Sequence, residues 1–188
     1  MSIPGPAFYF DFVDPLSYLQ DLELLALGRE VVRIGFELAP PPEPLTAVGD
    51  ARWKDRWDAA RLLAQAAGVR LAPPALVPWS RKAHELHLHA AEHGRGDEVR
   101  RAIFAAYFGR GEDIGRVDRL CALAASVGLD RTAVKAALDV DRHQEGVSEA
   151  RRAATRAGIG DTPAIVVGGR ILRGFHNRAD LSTLLRVT

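Results

Sequence analysis

Hydrophobic residues follow two rhythms along this chain, and the rhythm changes twice. Residues 7–13 (AFYFDFV) form a short apolar run leading straight into Asp14-Pro15, which predicts a strand. Over 15–28 the spacing becomes helical, with Leu19, Leu22, Leu25 and Ala26 on one face and Gly28 as the stop. Residues 31–38 (VVRIGFEL) alternate and predict a second strand. The run Pro40-Pro41-Pro42-Glu43-Pro44 then predicts a stiff, extended exit without regular structure.

The middle of the chain is helical. Trp53, Trp57, Ala60 and Ala64 keep helical spacing up to Gly68, and Pro73, Pro74 and Pro78 mark a loop. Ser80 is placed to cap a helix ending at Gly94, and Asp97 to cap another, with Val99, Ile103 and Ala106 inward. A helix carrying Cys121 ends at Gly128, and Asp130 starts one long helix to about Ala157. The strand rhythm then returns. Residues 164–167 and 170–173 flank Gly168-Gly169, a two-residue hairpin signal. Asn177 caps a last helix with Leu181, Leu184 and Leu185 inward, and Val187 is also expected in the core. The order is β-α-β, a helical block, a long helix, then β-β-α.

Composition narrows the function. With 188 residues, 47% hydrophobic, the chain can bury one substantial core. A net charge of +1, with 22 arginines and 3 lysines scattered, points to neither nucleic acid nor an anionic membrane. Residues 1–6 have no basic start and no apolar core, and no run is long enough to span a bilayer, so a cytoplasmic protein is expected. A single cysteine, Cys121, excludes an internal disulfide and a cysteine-based zinc cluster, and its apolar helical neighbours predict a buried, inert thiol. The oligomeric state is left open, a homodimer included.

Candidate chemistry gathers at Asp14-Pro15-Leu16-Ser17. A helix start offers unpaired N–H groups and a partial positive charge. Asp14 can serve there as a plain cap, with Pro15 suited to the first helical position and Ser17 to a polar first turn. A second feature, Gly160-Asp161-Thr162-Pro163, stands directly before the strand at 164–167.

The segments FYFDFVDPLSYL, SRKAHELHLHAAEHG, AAYFGRGEDIGRVDRLCALAASVGLD and AGIGDTPAIVVGGRILRG, in this order, resemble the DsbA-like thioredoxin superfamily. The branch they resemble holds FrnE-type oxidoreductases, 2-hydroxychromene-2-carboxylate isomerases and kappa-class glutathione transferases. The resemblance implies an α/β protein, a thioredoxin-like fold with an inserted all-helical domain. Residues 1–45 and 152–188 would form the discontinuous thioredoxin-like domain. Residues 46–151, including the long connecting helix, would form the insertion. It places the active site at the Asp14 corner, facing a cis-proline at Pro163, with the Thr162 backbone pairing with a bound thiol.

Position by position, the resemblance also shows departures. FrnE-type members carry Cys-Pro-Trp-Cys where this chain has Asp14 and Ser17, so dithiol exchange by that route is not available. Isomerases and kappa-class members carry a serine at the first position to hold the glutathione thiolate. An ionised Asp14 would repel that thiolate by about 1 kcal/mol at about 4 Å in water, and by more where buried. It could instead act protonated or as a general base, with Ser17 donating a hydrogen bond. Glutathione users also hold the γ-glutamyl end with an Asp-Arg pair; here Gly174 is followed by Phe175, His176, Asn177 and Arg178.

Three functions follow. The first is a cytoplasmic enzyme of isomerase or glutathione-transferase type acting on a small organic substrate with glutathione or another low-molecular-weight thiol. Asp14 and Ser17 would be catalytic there, and Thr162, Pro163, His176, Asn177 and Arg178 would bind the cofactor. The second is an oxidoreductase with a degenerate site, or one using Cys121 alone. The third is a non-catalytic module binding a peptide or partner. No metal is expected. His84, His87, His89 and His93 do not share one helix face and read as a solvated face, with His84 turned toward the active-site side. Trp53, Trp57 and Trp79 read as core.

Overall fold

A computed structural model describes residues 5–72 and 74–185. Pro73 of the loop and the expected core residue Val187 lie outside them. The chain runs β1 (Ala7–Phe10), α1 (Pro15–Leu27), β2 (Val32–Gly35), β3 (Thr46–Ala47), α2 (Ala51–Ala66), β4 (Leu76–Val77) and α3 (Arg81–Glu92). It continues with α4 (Gly96–Phe104), a π-helical turn (Ala105–Gly109), α5 (Val117–Ser126), α6 (Arg131–Asp139), α7 (Gln144–Arg156), β5 (Ala164–Val167), β6 (Arg170–Arg173) and α8 (Arg178–Leu184). One sheet has the order β2-β1-β5-β6, with β1 parallel to β2 and antiparallel to β5. This is the thioredoxin-like arrangement, with helices α2–α7 inserted between β2 and β5.

Strand β1 is buried on both sides, which is why it reads as an unbroken apolar run. Phe8, Phe10 and Phe12 join the large core with Leu86, Ile103 and Phe104 of the helical block. Ala7 and Tyr9 face the other way, with Ala154 and Ile159. Phe104 sits 5.7 Å from Phe10 and 5.1 Å from Phe12, ring centre to ring centre. An aromatic seam therefore joins the insertion to the sheet. In the β5–β6 hairpin, Gly168 and Gly169 take φ of 55° and 75°, which a tight turn demands and a side chain would resist.

Several elements depart from the sequence pattern. The long helix expected over 130–157 is two helices, α6 and α7, broken at Val140–His143. The chain turns there through Asp141 at φ 52°, anchored by Lys82, whose ammonium binds both the Leu138 carbonyl and the Asp141 carboxylate. The Lys82 contact ties this turn to α3 across 59 residues of chain. Helix α4 starts at Gly96 behind Arg95, so Asp97 lies in its first turn and bonds Arg100 instead of capping. Ser80 holds the cap position of α3 without a side-chain hydrogen bond. On α1 the buried residues are Pro15, Ser17, Leu19, Gln20, Asp21 and Leu24, whereas Ala26 is exposed.

The histidines of α3 are not a solvated face. His84, His87 and His89 are buried; only His93 is exposed. Helix α3 packs against α4, α5, α6 and α7, so it has almost no free side. Burial depresses His87 to about 3 and keeps it neutral. Trp53 and Trp57 are core, but Trp79 is 39% exposed and donates its indole N–H to the Glu43 carbonyl at 2.7 Å.

Gly35, the last residue of β2, lies against the His84 ring. A Cβ there would overlap Nδ1 and Cε1 of that buried imidazole. His84 cannot retreat, because its Nε2 is held by Asp11 at 3.1 Å. Gly35→Ala is expected to cost about 1–3 kcal/mol of stability in urea unfolding. Gly49→Ala, where a Cβ meets nothing within 4 Å, is expected to stay within about 0.5 kcal/mol.

Candidate functional site

The corner between β1 and α1 is built around one buried carboxylate. Asp14 is 0% exposed. As the cap of α1, it accepts the Leu16 N–H on Oδ1 at 3.2 Å and the Ser17 N–H on Oδ2 at 3.1 Å. The Ser17 hydroxyl donates to Oδ2 at 2.6 Å and accepts the Asp11 N–H at 3.3 Å, tying the end of β1 to the helix. Two more donors come from distant segments. Thr162 Oγ1 donates to Oδ2 at 2.9 Å, and Arg56 Nη1 of α2 donates to Oδ1 at 3.3 Å.

Burial pushes the Asp14 carboxyl up from 3.8 to about 6; Arg56, then the Ser17 and Thr162 hydroxyls, pull it down, and Asp11 raises it slightly. With five donors on two oxygens, its accepting capacity is spent. It can take a proton from an incoming group only if Arg56 or a hydroxyl gives way.

The Thr162–Pro163 bond is cis. Both backbone groups of Thr162 are engaged. Its N–H donates to Asp161 Oδ1 at 2.7 Å, and its carbonyl accepts Arg56 Nη1 at 2.8 Å. Arg56 Nη2 closes the ring on the Asp161 carboxylate. Beside this latch opens a cleft of about 410 Å³, lined by Leu16, Arg52, Arg56, Asp161, Pro163 and Arg173 among others. A second cleft of about 270 Å³ shares Arg52, Arg56 and Asp161. A larger depression of about 750 Å³ follows the β2 edge and α3–α4, and none of the corner residues lines it. The chemistry therefore points to the smaller, arginine-rich clefts.

Asp14, Ser17, Thr162 and Pro163, separated by most of the chain, meet at this corner. His176, Asn177 and Arg178 line neither cleft. Gln20 clamps the His176 backbone, accepting its N–H at 2.7 Å and donating to its carbonyl at 3.1 Å. Asn177 caps α8 through the Asp180 N–H at 3.0 Å, and Arg178 pairs with Glu23 of α1 at 3.4 Å. Cys121 is buried on α5, where burial raises its thiol pKa, and it too lines neither cleft. Arg56 is the site residue the sequence pattern missed. It lies three residues after Trp53 and four before Ala60, on the buried face of α2, and that spacing was the available signal. Among the described residues, His89, Glu92 and His143 form a group able to hold a metal ion.

The model of the DSBA-like thioredoxin domain family matches residues 7–186. The chain belongs to that family. The uncharacterized protein YwbO of Bacillus subtilis is 30% identical over 175 residues, 88% of each chain. Among solved structures, the probable DsbA oxidoreductase SCO1869 of Streptomyces coelicolor superposes with a TM-score of 0.81 at 21% identity, over 96% of this chain and 87% of that one. A 2-hydroxychromene-2-carboxylate isomerase gives 0.78 at 22%, over 95% and 91%. The cytosolic disulfide reductase DsbM of Pseudomonas aeruginosa, with GSH, gives 0.70 at 20%, over 97% and 99%. Solved structures that share this fold thus include a probable oxidoreductase and an isomerase, while the present chain has one cysteine and no Cys-x-x-Cys. Among the described residues no helix is long and apolar enough to cross a membrane.

An acid whose folded pKa is raised favours the folded state most when protonated. Asp14's contribution is fully present below about 4 and is lost as pH rises through about 6. The gap from 3.8 to about 6 corresponds to about 3 kcal/mol. Asp14→Asn keeps a capping oxygen but cannot titrate. The difference in unfolding free energy between wild type and Asp14→Asn is expected to shift by about that amount between pH 4 and 7, read from denaturant melts across the range.

Proposed function

We propose that the protein is a cytoplasmic enzyme of isomerase or glutathione-transferase type. It acts on a small, carboxylate-bearing organic substrate and takes glutathione or another low-molecular-weight thiol beside Thr162-Pro163. The observation that carries this reading is the latch on the Thr162 backbone. Asp161 is exposed, yet its carboxylate fills the N–H of Thr162 and the guanidinium of Arg56. A ligand carboxylate or thiolate arriving from the cleft would find the same donors once Asp161 swings into solvent. Asp161, at 61% exposure, regains hydration when it swings out, which offsets part of the lost contacts. Arg52 and Arg173 add positive charge to the cleft wall.

In this reading Asp14 holds the helix start, Thr162 and Arg56 in register, and acts as a base only when the latch opens. Ser17 supplies the hydroxyl nearest to it. Dithiol chemistry has no nucleophile here. The saturated hydrogen bonding of Asp14 also supports a second reading, a non-catalytic module that binds a small acidic ligand or peptide end in the same cleft.

Calorimetry with glutathione, S-methylglutathione and other small thiols tests the proposal. Binding is expected in the wild type. It should tighten about tenfold, or about 1.4 kcal/mol, in Asp161→Asn, where the internal competitor is weakened, and weaken in Arg173→Ala. Equal affinity for glutathione and its S-methyl form would favour the module over the thiol-using enzyme. No binding of any thiol to wild type or Asp161→Asn would sink the enzyme reading.

A further inference from the structure

We propose a divalent transition-metal site, of a kind suited to zinc, at the far end of α3, formed by His89, Glu92 and His143. His89 and Glu92 stand three residues apart on the last turn of α3. His143 comes from the break between α6 and α7, in the cap position of α7. His89 Nδ1 and His143 Nε2 are 3.4 Å apart, and Glu92 Oε2 lies 3.7 Å from the same His143 nitrogen. All three ligand atoms fall within 4.8 Å of one another.

The His89–His143 spacing suits coordination better than hydrogen bonding. Four ligands at about 2.0–2.1 Å from zinc in tetrahedral array are about 3.3–3.4 Å apart. The His–His separation matches that edge. As an N–H···N bond, 3.4 Å lies beyond the usual range of about 2.7–3.2 Å for hydrogen bonds from N–H donors. The Glu92 carboxylate, within 4.8 Å of the other two ligand atoms, closes the set by turning inward, which its 61% exposure allows. The two imidazoles are held in place, His89 being 3% and His143 9% exposed.

Two nitrogens and one carboxylate oxygen form a set that zinc accepts with a water in the fourth position. The solvent-facing side, where Glu92 lies, leaves room for that water. Glutathione and the arginine clefts play no part, since none of these three residues lines them. The site would act as a clasp. It joins α3 to the α6–α7 turn at one end of α3, while Lys82 joins the same turn at the other end through Leu138 and Asp141. The break that divides the expected long helix is what brings His143 to α3.

The test uses the full chain, with any affinity tag removed and metal stripped by chelator. Zinc titration against a chromophoric chelator is expected to give one ion per chain with micromolar or tighter affinity and a raised melting temperature. Cobalt loading should give the intense visible bands of a four- or five-coordinate site. His143→Gln should lower affinity by at least about 100-fold and Glu92→Gln by about tenfold; Glu92 is exposed and a glutamine at 143 keeps much of the imidazole's volume, so the test does not depend on a folded His89→Ala. Less than stoichiometric binding, or unchanged affinity in both variants, would overturn the proposal.

Discussion

The carboxylate of Asp14 draws three separate parts of the chain to one point. Its own helix supplies two backbone N–H groups and the Ser17 hydroxyl, the loop before β5 supplies Thr162, and α2 supplies Arg56. A buried carboxylate without partners would be prohibitively costly, so each donor is needed. Satisfying Asp14 therefore sets where the insertion's first helix lies relative to the sheet. It also sets where the cleft opens, because Arg56 bonds the Thr162 carbonyl and Asp161 as well. Cap and site organiser are the same group here: the hydrogen bonds that start α1 belong to the network that closes the Thr162 edge.

A second buried network works in parallel further along α1. Asp21 bonds Arg100 of α4, with Arg33 of β2 at 3.4 Å. Buried pairs of this kind add little net stability but penalise any arrangement that separates them. With the aromatic seam of Phe10, Phe12 and Phe104, they hold the helical insertion against the sheet in one orientation. Clefts between such joined units are favoured places for ligands. The arginine-lined clefts fit that description, with α2 of the insertion on one wall and the Thr162-Pro163 loop and β6 on the other.

Much was legible in the residues because the causes were local. Apolar runs, the Gly168-Gly169 turn, the Asn177 cap and the Asp14-Pro15 corner depend on neighbours a few positions away. The strand-helix-strand order and the segments shared with a known family carried the fold. Asp14, Ser17, Thr162 and Pro163, which the fold brings together, sit at junctions of elements, which sequence patterns mark well.

What tertiary structure alone decided depended on contacts across the chain. Arg56 is one of 22 arginines, and nothing in its own segment says that its guanidinium meets Asp14, 42 residues earlier. His87 and His89 looked solvated because they are polar, yet helices packed around α3 bury them. The break at Val140–His143 is tied to α3 by Lys82, 59 residues from Asp141. By itself the sequence determined the sheet strands, most of the helices, their order and the absence of a Cys-x-x-Cys pair. Only the folded chain decided which charges meet, because pairing is set by packing geometry, whereas periodicity records only which side of an element avoids water.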